Sequence, residues 1–329
     1  MNDSHSARFG SRAAITGIVL VGFVAISAIQ NAGVAGTGGS PPGQVLVVTA
    51  NLKEAYTDGD VSDSSDMEIF VNRLINQVPY SPDIALLQEV NRVSAGNVAT
   101  LLGFATGDSY FVVIGPGAKW AGRTQTGVTK IDTAILINAD TMLTLDPGDF
   151  VASRYSARKA APGRRPVIKN HAYMQAQEIE GGLTLRLSSI HFVPRGFLAS
   201  DEVDLALRER WVREIVTELN QVYPESPADE TTTIGGDFNS KLCLEKDEDG
   251  TGCQVFKPFW DLLVNGYGFT DAMRATSNLG GIDYIFTSHR IADAGLDKRY
   301  LIKKRRGTLD PADFYSDHAF RWAVVTGAS

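Results

Sequence analysis

From residue 45 onward, short apolar runs alternate with segments whose apolar residues recur at helical spacing. "VLVVTA" (45–50) and "IALLQE" (84–89) are almost unbroken apolar runs, the mark of strands covered on both faces. The second is entered through the Ser81-Pro82-Asp83 turn. Between them, "SDMEIFVNRLINQ" opens with Ser65, carries Glu68 three residues on and sets Ile69, Leu74 and Ile75 along one stripe, which predicts a helix with a capping box. "KIDTAILIN" reads as another strand, and "YMQAQEI" and "LTLRLSSIHF" flank Gly181-Gly182 as the arms of a hairpin. A long amphipathic helix from about Ser200 to Tyr223 and strands at 231–236, 282–287 and 318–325 complete the pattern. There is no internal repeat and no second linker. Hairpins mixed with crossovers predict one α/β domain over 45–326, built as two packed mixed β-sheets with helices outside.

The first 44 residues follow a different pattern. Arg8 and Arg12 precede the uncharged run "AAITGIVLVGFVAISAI" (13–29), and Gly33-Val34-Ala35 supplies an A-x-A-like site. With no polar face, the run is poorly suited to be a buried core helix. Residues 1–35 are expected to act as an export signal, cleaved near Ala35 or retained as a signal anchor, since the run sits at the short limit for spanning a bilayer. "GTGGSPPGQ" (36–44) reads as a flexible tether. The expected location is extracellular or cell-surface, with a monomer anchored at the N-terminus or released.

Composition adds two constraints. A net charge of −7, from 31 Lys+Arg against 38 Asp+Glu, excludes a protein held to nucleic acid by bulk charge alone. Cys243 and Cys253 flank "LEKDEDGTG". In an oxidising compartment they close a disulfide, and otherwise they remain two free thiols. Asp247, Glu248 and Asp249 offer oxygen ligands to a structural Ca²⁺, but their spacing fits no EF-hand loop and also suits a solvated acidic turn.

The candidate chemistry lies where the strands end. Asn51 ends the first strand, Glu89 the second, His191 the hairpin, and Asp237 and Asn239 follow "TTTIGG". Asp283 lies inside "GIDYIFTS", and "YSDHAF" supplies Asp317 and His318. Singly, Asn51 reads as a turn cap, Glu89 as the partner of a surface lysine and His191 as a satisfied core histidine. Asp283 resists such a reading, because a carboxylate in an apolar strand costs several kcal/mol unless paired. Together they suit metal-assisted phosphoester hydrolysis: hard oxygen ligands for Mg²⁺ or Mn²⁺, a carboxylate to activate water, and amides and imidazoles to meet phosphoryl oxygens. No cysteine–histidine cluster has zinc spacing, and GxSxG, P-loop and dinucleotide-binding glycine patterns are absent.

"TAN", "LLQEV", "SSIHFVP", "GGDFNS", "GIDYIF" and "YSDHAF", in this order, resemble the endonuclease/exonuclease/phosphatase superfamily over about residues 45–325. "GDFN" with a terminal "SDH" is the specific pair. The resemblance implies a four-layer α/β sandwich with the site at one edge of both sheets. It implies Mg²⁺ held by Glu89 with Asn51 and Asp317 beside it, Asp237 positioning the attacking water, Asn239 binding phosphate and His318 oriented by Asp283. His191 resembles the histidine of the secreted deoxyribonuclease and sphingomyelinase branches; in the former it is paired with an acid on an earlier strand, for which Asp132 is the candidate. Cys243, shortly after "GDFN", also resembles secreted deoxyribonucleases. Lys53 departs from the pattern, standing where some members have a second acid or amide.

The resemblance leaves the substrate class open between nucleic acid, the leading expectation, and a phospholipid or phosphomonoester. A silent binding module is a third reading, disfavoured by the complete polar set. Two segments, 154–169 and 298–306, hold 12 of the 31 basic residues and read as loops able to grip a phosphate backbone, or simply as solvated loops. Lys119, Trp120 and Arg123 add an aromatic ring beside two cations.

Overall fold

Alternation within the apolar runs decides what each strand face covers. In the computed structural model, which describes residues 38–52, 63–114, 119–120, 123–124, 132–154, 167–192, 201–224, 232–239, 257–272, 282–309, 315–316 and 318–327, fifteen strands and five α-helices follow one another. The first half contains β1 (Gln44–Asn51), α1 (Asp63–Ile75), β2 (Ile84–Val90), α2 (Arg92–Thr106), β3 (Tyr110–Ile114), β4 (Lys119–Trp120), β5 (Arg123–Thr124), β6 (Asp132–Asn138), β7 (Met142–Thr144) and β8 (Asp149–Arg154). The second contains β9 (Val167–Glu178), β10 (Thr184–His191), α3 (Asp201–Val222), β11 (Thr232–Asp237), α4 (Lys257–Asp261, continued by a π turn), β12 (Thr270–Asp271), β13 (Asp283–Thr287), β14 (Arg290–Leu296), α5 (Lys298–Arg305) and β15 (Arg321–Thr326). These residues belong to one compact unit, Gly33–Ser329. The N-terminal run, Lys53, the Cys243–Cys253 segment and Asp317 lie outside the described residues.

One sheet has the order β14-β15-β1-β2-β6-β3; the other runs β12-β13-β11-β10-β9-β4-β5, with β7 and β8 also paired to β9. Both are mixed: β1–β2 and β10–β11 are parallel, while β1–β15 and β11–β13 are antiparallel. Val45, Val47, Ile84 and Leu86 point between the sheets to meet Met174, Leu185, Leu187 and Ile285. Leu46, Val48, Ala85 and Leu87 point the other way, under α1 and α2. Ile190, Ile234, Tyr284 and Phe286 pack beneath α3, whose Trp211, Ile215 and Leu219 are buried. The result is the expected four-layer α/β sandwich.

Hydrogen bonds join the sheets beside the strand ends. Gln88 Nε2 donates to Thr49 Oγ1 (3.2 Å) and across to Ser189 Oγ (3.1 Å), and Ser189 Oγ donates to the Leu87 carbonyl (2.9 Å). All three side chains are fully buried, so removing one partner strands the others at about 1–3 kcal/mol each. These contacts fix β1 and β2 against β10 one or two residues short of the candidate site.

Several details differ from the sequence reading. The first helix begins at Asp63, so Ser65 lies within it rather than capping it. α2 had no strong apolar period to announce it; Asn91 caps it by accepting from Val93 N and Ser94 N. Residues 38–43, read as tether, are tied to the domain by Ser40 Oγ on Asp83 Oδ2 (2.5 Å) and Ser81 N on the Gly38 carbonyl (3.1 Å). The basic stretch 298–306 is mostly the helix α5: Asp297 accepts from Tyr300 N, grips Arg73 through Nε and Nη2 at 2.6 and 2.8 Å, and Tyr300 is buried.

The paired glycines before Asp237 have separate reasons. A Cβ on Gly235 would stand 2.6 Å from Leu86 Cδ1, where the sheets press together. Gly236 has φ +151°, and a Cβ there would overlap the Ile190 carbonyl of the neighbouring strand. Gly236→Ala is therefore expected to cost about 3 kcal/mol or more, read from the urea midpoint, because backbone must move. An unchanged midpoint would contradict the close approach of β10 and β11.

Candidate active site

Parallel pairing puts like ends of strands at the same edge. Asn51 and Glu89 finish β1 and β2, while His191 and Asp237 finish β10 and β11 as direct partners in register. Asp283 begins β13 opposite Asp237, because that pair is antiparallel. His318 lies just before β15. Six expected site residues thus reach one cleft from both sheets.

Two backbone features aim the side chains. The β2–β6 register slips between Leu87 and Val90, and Glu89 within that bulge has φ 56°. A non-glycine residue in this left-handed region costs of order 1 kcal/mol, and it turns the Glu89 side chain away from the strand's alternation. Asn239 has φ 49°, a conformation asparagine tolerates. Its backbone N–H donates to Asp237 Oδ1 (2.7 Å), and its Nδ2 donates to the Phe192 carbonyl (2.8 Å) and Asp237 Oδ2 (3.2 Å).

Asp237 is the hub. Asn51 Nδ2 bridges Asp237 Oδ2 (2.9 Å) and Glu89 Oε1 (3.1 Å). His191 Nε2 lies 3.4 Å from Glu89 Oε1 and 3.7 Å from Asp237 Oδ2. His318 Nδ1 stands 3.0 Å from both oxygens of Asp283, leaving Nε2 turned inward, 4.0 Å from Asp237 Oδ2. One ligand atom from each of Glu89, His191 and Asp237 falls within 4.8 Å of the others, and the same holds for Asp237, Asp283 and His318.

Burial sets the electrostatics. Desolvation first, and then the charge of Asp283, raise the Asp237 pKa well above the usual carboxylate range, against the lowering influence of His318, the Asn239 amide and Asn51. His191 is pushed far down by desolvation, reinforced by Lys169, His318 and His171. The ring is therefore neutral, and its approaches to Glu89 and Asp237 are contacts of a neutral imidazole rather than ion pairs. His171, fully buried, falls to about 3 for the same reasons. Its Nδ1 accepts the His191 backbone N–H (3.3 Å), so its proton sits on Nε2.

Two expectations need correction or completion. Asp132 does not meet His191: its carboxylate accepts from Asn170 Nδ2 (3.1 Å) and the Thr133 amide (3.0 Å). What meets the His191 ring instead is Lys169 Nζ, 3.0 Å from Nδ1 and 3.5 Å from Nε2. Asp317 lies outside the described residues, but its neighbour Ser316 is in place: Oγ donates to the Asn51 carbonyl (2.5 Å) and accepts from His318 N (3.1 Å). Ser316 stood in the quoted "YSDHAF" without a role assigned; nothing in the spacing singled out Lys169 as a site residue.

No protein-family model matches the sequence, and no curated protein does. Solved structures do match in fold. An endonuclease/exonuclease/phosphatase from Bacteroides vulgatus has a TM-score of 0.58 at 12% identity, covering 87% of this chain and 99% of that one. An endonuclease/exonuclease/phosphatase family protein from Bacteroides thetaiotaomicron gives 0.55 at 15%, covering 88% and 96%. The human Nocturnin catalytic domain, solved with a bound sulfate anion, gives 0.54 at 14%, covering 87% and 94%. The chain has the endonuclease/exonuclease/phosphatase fold.

The raised Asp237 pKa predicts a pH dependence. With EDTA present, the folded state holds this proton more tightly than the unfolded state, so it binds more protons between the ordinary carboxylate range and the raised value. The contribution of Asp237 to stability is therefore full below that range and lost as pH rises through it. Urea midpoints between about pH 4 and about pH 8 should show this loss, and Asp237→Asn should remove it. An identical slope in the variant would contradict the assignment.

Proposed function

We propose that this chain is a metal-dependent phosphoric ester hydrolase acting as a phosphodiesterase, with nucleic acid as its substrate. The observation that carries the reading is the buried Asp237 carboxylate, held within reach of Glu89, Asp283, two imidazoles and two asparagine amides. Buried carboxylates this close repel one another unless protonated or matched by positive charge. A donor set dominated by hard oxygens fits Mg²⁺ or Mn²⁺, with Glu89 as the principal ligand and Asn51 and Asp317 beside it. Such an ion would supply positive charge against the negative charge of the phosphoryl oxygens.

The remaining residues divide the chemistry. Asp237, whose burial strengthens its proton affinity, takes a proton from the attacking water. His318, with Nδ1 held by Asp283, presents Nε2 to a phosphoryl or leaving-group oxygen. His191 offers Nε2 from the opposite side of Asp237. Asn239 holds its own loop through Phe192 while its amide faces Asp237, and it is assigned to the phosphate. The sulfate bound to the similarly folded Nocturnin domain supports a tetrahedral-anion site for this architecture. The nucleic-acid assignment draws on exposed Lys298, Arg299 and Arg306 at α5 and on the basic stretch at 154–169. Export, through the N-terminal run, belongs to the same proposal.

Incubation of the purified chain with plasmid and Mg²⁺ should nick the DNA, and EDTA should abolish nicking. Asp237→Ala, His191→Ala and His318→Ala should each keep the fold and lose about two to four decades in rate. Turnover of sphingomyelin or inositol phosphates without nicking would reassign the substrate, while an unchanged rate in Asp237→Ala would overturn the water-activating role.

A further inference from the structure

Lys169 enters the cleft from an unexpected direction. It belongs to the basic stretch that reads as a loop able to grip a phosphate backbone or simply as a solvated loop, yet it lies on β9, three residues before the last β9–β10 register pair, Ala172 with Ser189. That position carries it past the end of the β9–β10 ladder to the edge where His191 stands. An ammonium on the in-plane lone pair of Nδ1 would be far from Nε2. Distances of 3.0 and 3.5 Å to the two nitrogens instead put Nζ over the ring face. From there it sits on the same side chain whose Nε2 is 3.4 Å from Glu89 and 3.7 Å from Asp237.

The charge around it explains why a cation belongs there. Glu89, Asp237 and Asp283 bring three carboxyl groups to one cleft, and the proposed substrate adds negative charge on its phosphoryl oxygens. His191 offers Nε2 to the same cluster, and Lys169 brings an ammonium to the other nitrogen of that ring. A lysine ammonium, compact and with three donors, binds phosphate as a point charge and needs no bidentate geometry.

We propose that Lys169 is a catalytic residue that donates from Nζ to a non-bridging oxygen of the phosphoryl group, beside Nε2 of His191. The assignment rests on the phosphoester-hydrolase reading and adds a residue that the strand-end pattern did not contain. Packing against the imidazole face keeps the ammonium at the cleft, and its half-buried position strengthens its attraction for an anion.

Two measurements on the full chain test it. Inorganic phosphate, titrated in the presence of Mg²⁺, should bind Lys169→Met at least tenfold more weakly than wild type, and Lys169→Arg should recover part of the loss. On the phosphodiester substrate, Lys169→Met should lose about a hundredfold in kcat/KM with an unchanged near-ultraviolet circular dichroism spectrum. If Lys169→Met fails to fold, Lys169→Gln replaces it. Wild-type hydrolysis with undiminished rate and phosphate affinity in the folded variant overturns the role of Lys169 while leaving the hydrolase reading intact. Lysine-dependent phosphate binding in a chain that cleaves no ester supports an anion site at Lys169 and overturns the hydrolase reading instead.

Discussion

The burial of Asp237 is the constraint on which the rest depends. A carboxylate removed from water and set beside Asp283 favours its protonated form, and the fold answers with directed hydrogen bonds rather than solvent. The Asn239 backbone amide and the Asn51 and Asn239 side chains all converge on it. His318 stands 4.0 Å off and His191 3.7 Å off. Asn239 donates from two residues beyond Asp237 and Asn51 from the other sheet, so the site is complete only when both sheets are assembled.

What keeps those ends in step is mostly uncharged. The Gln88–Thr49–Ser189 contacts join the two sheets one or two residues before the site, and Ser316 ties the end of β1 to the His318 turn. Gly235 and Gly236 let β11 approach Leu86 and Ile190 closely, which puts Asp237 within reach of residues from the other sheet. Local strain is confined to the working positions: Glu89 and Asn239 are the non-glycine residues with positive φ among those described. Strain in this place suits a side chain that must leave its strand's alternation to face a common point.

Much of this was legible in the sequence because the strands that carry the site are buried on both faces and so read as clear apolar runs. Polar residues at the ends of such runs stand out against them, which is why Asp283 was recognisable on its own and Asn51, Glu89 and Asp237 as members of a set. Pairwise relations were less visible. Asp132 and His191 looked like partners by analogy of strand position, but the side chain that reaches the imidazole is Lys169, and linear sequence does not encode which of two neighbours on adjacent strands points inward past a ladder's end. α2 escaped because Ser94, Ala95 and Ala99 make up half of its buried face while Val93 and Phe104 are apolar yet exposed, and α5 because its basic surface masks the buried Tyr300. The bulge at Glu89 leaves no mark in composition at all.

In the proposed function these acids are gathered to hold a divalent cation. Titrating Mn²⁺ into the purified chain at neutral pH, with binding followed by calorimetry and stability by the unfolding midpoint, tests it directly. Saturable binding that raises the midpoint, and that Glu89→Gln abolishes without unfolding the protein, is the predicted result. A chain that binds no Mn²⁺, and whose midpoint is the same in Mn²⁺ and in EDTA, would contradict it.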